Sequence, residues 1–414
     1  MSREMHALPR ELAELSAALD ASDPLAACRE AFLLPEGVLA YLDGNSLGRP
    51  LKATRDRLAS LVDREWGERL IRAWDETWMD RPLALGDQLG RTVLGAAAGQ
   101  VMVGDSTTVM LYKLTRAALD ACPGRTEIIA DTENFPTDRY ILDAVARETG
   151  RTIRWIDPDP ASGVRLAEVE AMLSERTALV LLSHIAYKSA YIADMPLITA
   201  AAHRSGSLVL WDLCHSAGAI EVALDASGVD LAAGCSYKFL NGGPGAPAFG
   251  YVASRLQNNL TQPISGWMGH ADPFTMGPGY VPAPGIRRFI SGTPPILGMA
   301  PIQDMVSLIE QAGMPAVRAK SVALTEYVIQ VADEALAPLG VTIASPRDPA
   351  VRGAHVTLDH PRMQEAVAEL WRRGIIPDFR PPQGLRVGLS PLSTSFSEVA
   401  TALGQLRQIL AAGA

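Results

Sequence analysis

Short apolar runs that alternate with amphipathic segments constrain the fold of this chain more than any other feature of its sequence. Runs of this kind, with little polar alternation, are typical of strands buried on both faces of a sheet. The segments between them, such as 136–150 and 195–206, carry apolar residues at helical spacing and end in glycine. The pattern predicts a mainly parallel sheet covered by helices. The clearest runs are residues 127–132, 178–184, 208–215 and 230–238.

The last third of the chain has a different pattern, which predicts a second domain. Residues 300–345 are expected to be mostly helical, and the strand-like runs 355–360 and 385–391 flank a helical pattern at 361–374. This grouping is typical of a smaller α+β unit. The predicted organisation is an N-terminal segment that packs with the small domain (1–50), a large domain (51–299) and a small C-terminal domain (300–414).

Composition and charge exclude several classes of function. Of the 414 residues, 48% are hydrophobic, and the net charge of -9 is not gathered into blocks. The chain therefore lacks the clustered lysines and arginines that bind nucleic acid. No apolar run approaches the length of a membrane span, and the start, MSREMHALPR, has charges where the core of a signal peptide would be apolar. We expect a cytoplasmic protein that acts on a small molecule.

The cysteines predict neither a disulfide nor a metal site. Cys28, Cys122, Cys214 and Cys235 are far apart in the sequence and form no CxxC pair. This spacing in a cytoplasmic chain favours buried free thiols. We therefore expect no metal ion.

Polar residues that follow the apolar runs predict one shared site. In a sheet of this type, ligands bind beyond the carboxyl ends of the strands, so side chains at those ends face the same space. The residues at these ends are 132–138, Ser183, His184, Asp212, His215, Tyr237 and Lys238.

Asp212 and Lys238 are charged residues at the ends of two of these runs. A buried carboxylate needs a partner, so Asp212 either caps the next helix or faces a protonated ring nitrogen. Lys238 either extends to solvent or is buried, and burial would lower the pKa of its amine and make it a nucleophile. A nucleophilic lysine together with a buried carboxylate is the pair that pyridoxal phosphate needs.

Three further features would complete a site for that cofactor. Residues 105–122 begin with Asp, Ser and two Thr and continue as a helix, which is either a phosphate cradle or an ordinary capped helix. Phe135 lies in a loop and could stack on a ring. Arg386 could bind a carboxylate with its fork or lie on the surface. The order of these features resembles that of the aspartate-aminotransferase-like α/β enzymes, known as fold type I pyridoxal enzymes.

Several longer strings resemble the kynureninase family over nearly the whole chain. The combination of WDLxHSAGA, YKxLNGGPG and GWxGH is much more specific than a similarity of fold. The stretches that carry the resemblance are YLDGNSLGRP (41–50), LIRAW (70–74), NFPTD (134–138), WDLCHSAGA (211–219), CSYKFLNGGPG (235–245), GWMGH (266–270), SGTPPI (291–296) and LRVGLSPL (385–392).

The resemblance implies a role for each matching residue. Lys238 would bond to pyridoxal 5'-phosphate, Asp212 would pair with the ring nitrogen beside His215, and Phe135 would stack on the ring. Trp267 and Thr293 would reach the phosphate from the partner subunit of a homodimer. Other residues would contact the phosphate (Thr107, Thr108, Tyr237), line the ring edge (Asp138, Ser183), bind the substrate carboxylate (Arg386) or border the aryl group (Ser46, Trp74, Gly292, Thr293).

The resemblance also implies the reaction, which is hydrolysis of L-kynurenine to anthranilate and L-alanine at the Cβ–Cγ bond. Gly292, Thr293 and Trp74 match the bacterial form, which prefers kynurenine, whereas the animal form has a Ser–Asn pair and prefers 3-hydroxykynurenine. A ring hydroxyl needs a partner, and Gly292 has no side chain to supply one. Three positions depart from the family pattern without changing the expected chemistry, namely Cys214, Phe239 and Met268.

Four alternative functions fit the sequence less well. CHSAG (214–218) nearly matches the nucleophile elbow of serine hydrolases, but Asp212 precedes the serine instead of following it. A nicotinamide dehydrogenase would need GxGxxG after a strand. A cysteine desulfurase or aminotransferase relative stays within the pyridoxal enzymes, yet a desulfurase needs a reactive cysteine later than Cys235. A non-catalytic binding protein would not need so complete a site.

Overall fold

Two sheets organise the computed structural model, which describes residues 8–412. The larger sheet has seven strands and the smaller sheet has five. In chain order the strands are β1 (Ala40–Leu42), β2 (Val101–Val103), β3 (Glu127–Asp131), β4 (Thr152–Ile156), β5 (Thr177–Ser183), β6 (Leu208–Asp212), β7 (Leu231–Gly234), β8 (Phe249–Val252), β9 (Thr342–Ile343), β10 (His355–Asp359), β11 (Ile375–Arg380) and β12 (Gly384–Gly388).

Helices cover the larger sheet and pack against the smaller one. Short 3-10 and π-helical turns, such as Trp74–Trp78, fill several connections. The helices are α1 (Arg10–Ala21), α2 (Lys52–Ser60), α3 (Arg81–Leu89), α4 (Thr107–Asp120), α5 (Pro136–Thr149), α6 (Leu166–Met172), α7 (Met195–Arg204), α8 (Ser254–Gln257), α9 (Ile296–Ala312), α10 (Met314–Val331), α11 (Met363–Arg372) and α12 (Phe396–Ala411).

The larger sheet has the strand order β2-β8-β7-β6-β5-β3-β4. Strands β4, β3, β5, β6 and β7 are parallel, while β8 is antiparallel to both β7 and β2. The central strands are apolar and buried on both faces, because helices cover each side of the sheet. The expected mainly parallel α/β fold is therefore confirmed, with an antiparallel strand near one edge.

Helix ends are set by local sequence signals. Ser106 caps α4 by accepting a hydrogen bond from the Val109 amide, and Gly150 ends α5 with φ +65°. Helix α12 begins with a capping box between Ser395 and Glu398. Such caps satisfy backbone groups that have no partner inside the helix.

The smaller sheet combines the last third of the chain with one strand from the N-terminal part. Its order is β1-β11-β12-β10-β9, and β1 is parallel to β11 while the other neighbours are antiparallel. Leu12 of α1 lies in the same core as Val356 and Leu403. The domain limits stay a prediction: α9 spans position 300, and its residues Met299 and Ile302 lie in the core of the larger sheet.

Strand boundaries were predicted less well than strand positions. The run that leads to Lys238 forms a strand only to Gly234, and Lys238 lies in the loop that follows. Strands β2, β4, β8 and β11 were not predicted, because they are short or contain polar residues and proline. The helix predicted at 361–374 is observed at Met363–Arg372.

Candidate active site

The ends of β5, β6 and β7 form the floor of the candidate site. Ser183 and Asp212 are the last residues of β5 and β6 and are paired in register. Asp212 is likewise aligned with Ala233 of β7, five residues before Lys238. Parallel strands thus bring together three side chains that are distant in sequence, as the alternation of runs predicted.

Lys238 lies beside this floor and is only 8% exposed. Its Nζ atom lies 3.3 Å from Nε2 of His215 and 5.6 Å from the centre of the Phe135 ring. Burial, followed by the nearby Lys238 charge, holds the pKa of His215 well below its usual value. His215 is therefore neutral near pH 7 and can accept a hydrogen bond from the amine.

A group of buried acids lies beside Lys238. Asp212 accepts a hydrogen bond from the Cys214 amide at 2.8 Å and lies 3.4 Å from the Ser183 hydroxyl. Asp138, in the first turn of α5, is 2% exposed, and its Oδ2 atom has no hydrogen-bond partner among the described residues. Burial, and then the charge of Asp212, raises the pKa of Asp138. The site thus holds one carboxylate with backbone support and one acid that favours the protonated form.

A cavity of about 450 Å³ opens at the start of α4. Its walls include Thr107, Tyr237, Gly292 and Thr293 of the same chain. The helix start presents free backbone N–H groups, which suit an anion such as a phosphate. Burial raises the pKa of Tyr237, so its hydroxyl stays protonated at neutral pH.

Arg386 lies on β12 and is 1% exposed. Its Nη2 atom donates to the Ser46 hydroxyl at 3.0 Å, and its Nη1 atom donates to the Tyr187 carbonyl at 2.7 Å. The Tyr187 ring packs edge-to-face on Phe135, with centres 5.4 Å apart. Arg386 is therefore connected to the Lys238 site through the Tyr187–Phe135 contact.

A family model described as the kynureninase C-terminal domain matches residues 317–406. A kynureninase of Pseudomonas fluorescens is 42% identical over 95% of this chain and 94% of its own length. A kynureninase of Burkholderia pseudomallei is 41% identical over 96% of this chain and 95% of its own length.

The chain belongs to the kynureninase family. It is accordingly an enzyme that depends on pyridoxal phosphate and hydrolyses a carbon–carbon bond.

Solved structures show the same fold at low identity. A cysteine desulfurase of Thermococcus onnurineus superposes with a TM-score of 0.79, at 18% identity, over 96% of this chain and 98% of that one. A C-DES mutant with glycine covalently linked to the PLP cofactor gives a TM-score of 0.77 at 17% identity, over 88% of this chain and 96% of that one. These similarities confirm the predicted fold type I architecture.

The kynureninase-family site has the chemical groups that pyridoxal phosphate requires. An aromatic ring, Phe135, lies beside the buried amine of Lys238, and the unpaired Oδ2 atom of Asp138 is available for a polar ligand. The cavity at the start of α4 has room for a phosphate. The residues present therefore fit the cofactor of the family.

Some residues that the family pattern singled out lie away from this centre. Trp267 is 43% exposed, and its ring packs edge-to-face on Phe274. It lines a surface cavity that is separate from the one at the start of α4. Thr108 follows Thr107 and is exposed. Trp74 is half-buried, packs edge-to-face on Trp78, and lies against the cluster that contains Ile296.

The segment that precedes α2 is a structural support of the Lys238 loop. The Gly48 amide donates to the Tyr237 carbonyl at 2.8 Å, and the Asn241 side chain donates to the Arg49 carbonyl at 2.7 Å. A Cβ atom at Gly48 would lie 2.3 Å from the Lys238 carbonyl oxygen, so this close approach requires glycine. We call residues 43–50 the strap.

Sequence reasoning included Asn134 only within the range 132–138, and it did not predict that His355 and Asp378 lie near the site. Asn134 is buried and its Oδ1 atom accepts a hydrogen bond from Ser183 at 2.7 Å. His355 is fully buried, and its ring centre lies 5.8 Å from that of His215. A polar residue inside an apolar strand, as in HVTLD, is a signal that could have identified His355. Asp378, which pairs with Arg386, carries no such signal.

Proposed function

We propose that the chain hydrolyses L-kynurenine at its Cβ–Cγ bond, giving anthranilate and L-alanine, and that it prefers kynurenine to 3-hydroxykynurenine. The observation that carries the proposal is the position of Lys238, a buried amine between His215 and Phe135. The kynureninases at about 41–42% identity name the substrate.

Lys238 is proposed to bond to the cofactor and, when released from it, to remove the α proton of the substrate. Pyridoxal phosphate, when bound, supplies an electron sink for the charge that this step releases. Asp212 would hold the ring nitrogen through its carboxylate and favour its protonated form, and Phe135 would stack on the ring. Neutral His215, 3.3 Å from the Lys238 amine, can accept a hydrogen bond from it and so favours a reactive orientation.

Tyr237 is proposed to bind the phosphate. It is also proposed to act after water adds to the Cγ ketone and the Cβ–Cγ bond breaks, when its hydroxyl would donate a proton to the Cβ atom that keeps the electron pair. Its pKa is raised by burial, so the hydroxyl retains the proton that it must deliver. Thr107 and Thr108 at the start of α4 are proposed to bind the phosphate as well, together with Thr293 of the partner subunit. Ser183 and the protonated Asp138 are proposed to contact the ring edge.

Arg386 is proposed to bind the substrate carboxylate, because it is a buried arginine connected to the Phe135 side of the site. Its contact with Ser46 supports a role for Ser46 at the carboxylate end in addition to the aryl pocket. Trp74, Gly292 and Thr293 are proposed to border the aryl group. A Cβ atom at Gly292 would meet nothing within 4 Å, so this position supplies space without a polar partner.

A homodimer is proposed as the active form. Trp267 is 43% exposed in a single chain, and an exposed aromatic residue is typical of an interface. Phe274 and Met276 in the same loop are 53% and 80% exposed. A partner subunit that covers this loop would bring Trp267 close to the phosphate of the other site.

The proposal is tested with the purified holoenzyme and the two substrates. Loading with pyridoxal phosphate should give a visible absorption band. L-Kynurenine should then yield anthranilate, which is detected by its fluorescence. The value of kcat/KM should be at least about tenfold higher for kynurenine than for 3-hydroxykynurenine, because Gly292 offers no partner to the added hydroxyl. Equal or reversed values would refute the preference, and absence of anthranilate would refute the reaction.

A further inference from the structure

We propose that Asp378 is a positioning residue for the substrate carboxylate, acting through Arg386. The inference rests on the proposed function, since it concerns the carboxylate end of the same site. Asp378 on β11 and Arg386 on β12 are directly opposite each other in the antiparallel register. The Oδ2 atom of Asp378 accepts hydrogen bonds from both Nε, at 2.8 Å, and Nη2 of Arg386.

The hydrogen bonds of Arg386 divide its guanidinium into two edges. The edge formed by Nε and Nη2 is held by Asp378. The edge formed by Nη1 and Nη2 donates instead to the Tyr187 carbonyl and to the Ser46 hydroxyl. Because the guanidinium is planar with a fixed fork, holding one edge fixes the direction of the other.

The second edge is the one on the side of the Lys238 site. The Tyr187 ring packs on Phe135, and the Phe135 ring lies beside the Lys238 amine. A carboxylate bound by this edge would replace or share the contact with Ser46, a hydroxyl that can rotate to become a donor. Asp378 therefore restrains the arginine through the opposite edge, while the edge proposed for the carboxylate donates to Tyr187 and Ser46 when no substrate is bound.

Charge balance supports the same role. Arg386 is 1% exposed, and an isolated buried charge is costly, so Asp378 stabilises it when no substrate is bound. Arg380 lies 2.8 Å from Oδ2 of Asp378 and is about one third exposed, so it supplies a second positive charge. When a substrate carboxylate arrives, the two arginines then face it and Asp378, with Asp43, whose pKa burial raises to about 6, as a third acid nearby.

The test compares ligands with and without a carboxylate in Asp378→Asn, which keeps the size of the side chain and removes its charge. We expect KM for L-kynurenine to rise about 10- to 100-fold, with kcat changed by less than about threefold, because binding is lost in the ground state and the transition state alike. The inhibition constant of the decarboxylated amine analogue of kynurenine should not change, and neither should the visible absorption of the holoenzyme.

Two controls separate positioning from a structural effect. If Asp378 acts through Arg386, the double variant Asp378→Asn/Arg386→Met should bind L-kynurenine no more weakly than Arg386→Met alone. Asp333→Asn removes the carboxylate of an exposed ion pair with Arg347 in the same part of the chain and should leave KM unchanged. Additive losses, or equal weakening of the amine analogue, would overturn the proposal.

Binding of L-alanine distinguishes this proposal from the proposed function. L-Alanine carries the same carboxylate and should alter the visible spectrum of the wild-type holoenzyme, and Asp378→Asn should weaken this response by the same factor as KM. If alanine binds but no anthranilate forms from kynurenine, only the proposed reaction fails. If the wild type responds to neither amino acid, both fail.

Discussion

At the scale of single residues, the site is a set of buried groups whose charges are adjusted by their neighbours. Lys238 is almost fully buried, yet its amine faces His215, whose low pKa keeps that ring neutral. Asp138, with a raised pKa, adds little negative charge beside Asp212. Neutral His215 and protonated Asp138 thus reduce the number of like charges that lie close together away from water. This is the usual condition for acid–base chemistry near pH 7.

Tyr237→Phe should separate catalysis from cofactor binding. If the Tyr237 hydroxyl delivers a proton to Cβ, removing it should lower kcat about 100-fold or more. Loss of one hydrogen bond to the phosphate should weaken the binding of pyridoxal phosphate by no more than about tenfold. Stopped-flow measurement of anthranilate release and titration of the apoenzyme with cofactor would give the two values.

A matched control for this variant is Tyr327→Phe. The Tyr327 hydroxyl donates to the Leu12 carbonyl at 2.9 Å in the core of the smaller sheet. This change removes a buried tyrosine hydroxyl elsewhere and should leave kcat unaltered. If kcat and cofactor affinity of Tyr237→Phe fell by the same factor, Tyr237 would be a phosphate ligand only.

The sequence predicted which residue types the site needs more reliably than which atoms meet. Lys238, Asp212, His215 and Ser183 could be found because they follow apolar runs whose ends converge. The contact of Ser46 with Arg386 could not, since it depends on how two sheets pack. The pairing of Asp378 with Arg386 depends on strand register, which a single sequence does not specify.

At the scale of structural elements, the strap connects the Lys238 loop to the smaller sheet. It bonds to the loop through the Gly48 amide and the Arg49 carbonyl, and the Arg49 side chain binds Glu398 of α12. Glu398 also receives hydrogen bonds from the Tyr41 amide at 3.0 Å and from Arg29 at 3.3 Å. One buried carboxylate thus holds the strap, β1 and the start of α12 together.

Glu398→Gln should destabilise the protein substantially. Its carboxylate is 3% exposed and paired with Arg49, which is 6% exposed, so the substitution leaves a buried positive charge without its partner. Removing one partner of a buried ion pair costs about 3–5 kcal/mol. Unfolding in urea, followed by tryptophan fluorescence, should show a transition at lower concentration than in the wild type.

An exposed ion pair provides the comparison for Glu398→Gln. Arg10 and Glu14 form an i,i+4 pair on α1, with side chains 89% and 62% exposed. Glu14→Gln should shift the free energy of unfolding by less than about 0.5 kcal/mol. Equal effects of the two substitutions would mean that Glu398 does not anchor the strap.

Elements with strong patterns were predicted well, and weakly patterned ones were not. Helix α5 was predicted at 136–150 and is observed at Pro136–Thr149, because Pro at its start and Gly after its end are unambiguous signals. Strand β11 contains Pro377 and Asp378, so its sequence has no clear strand pattern. Its pairing with β1 and β12 depends on contacts with distant parts of the chain. Its neighbour β1, three residues long, is recognisable only when β11 is present.

At the scale of the whole molecule, the loop around Trp267 is a candidate interface. Phe274, Met276 and Val281 are more than half exposed on this loop, and contiguous exposed apolar side chains mark sites of association. None of the helices within residues 8–412 is both long and apolar enough to cross a membrane. A second copy of this chain is the partner that the family resemblance implies for the loop.

Mixing two inactive variants should restore activity if the sites are shared between subunits. Lys238→Ala lacks the amine, and Trp267→Ala lacks the proposed contact from the partner. In a mixed dimer, one site would combine the intact Lys238 of one protomer with the intact Trp267 of its partner. Random exchange should recover about one quarter of the wild-type activity, because half of the dimers are mixed and each has one complete site.

For the complementation assay, each variant alone must have little or no activity and must sediment as a dimer. Mixing Lys238→Ala with Asp212→Asn provides the control, since both changes lie in the same protomer's site, and a mixed dimer then gains no complete site from the exchange. Recovery in this control, or none in the first mixture, would argue against a site completed by Trp267 of the partner subunit.

The pairing of β1 with β11 affects how the enzyme matures during synthesis. Ala40 of β1 aligns with Ile375, and Arg49 of the strap binds Glu398, so β1 and the strap are synthesised long before their partners. Domains form in order as a chain emerges, and contacts between distant residues form slowly. The Gly48 bond to the Tyr237 carbonyl is therefore secured late, and a chain terminated before these partners would retain Lys238 without the support that holds its loop.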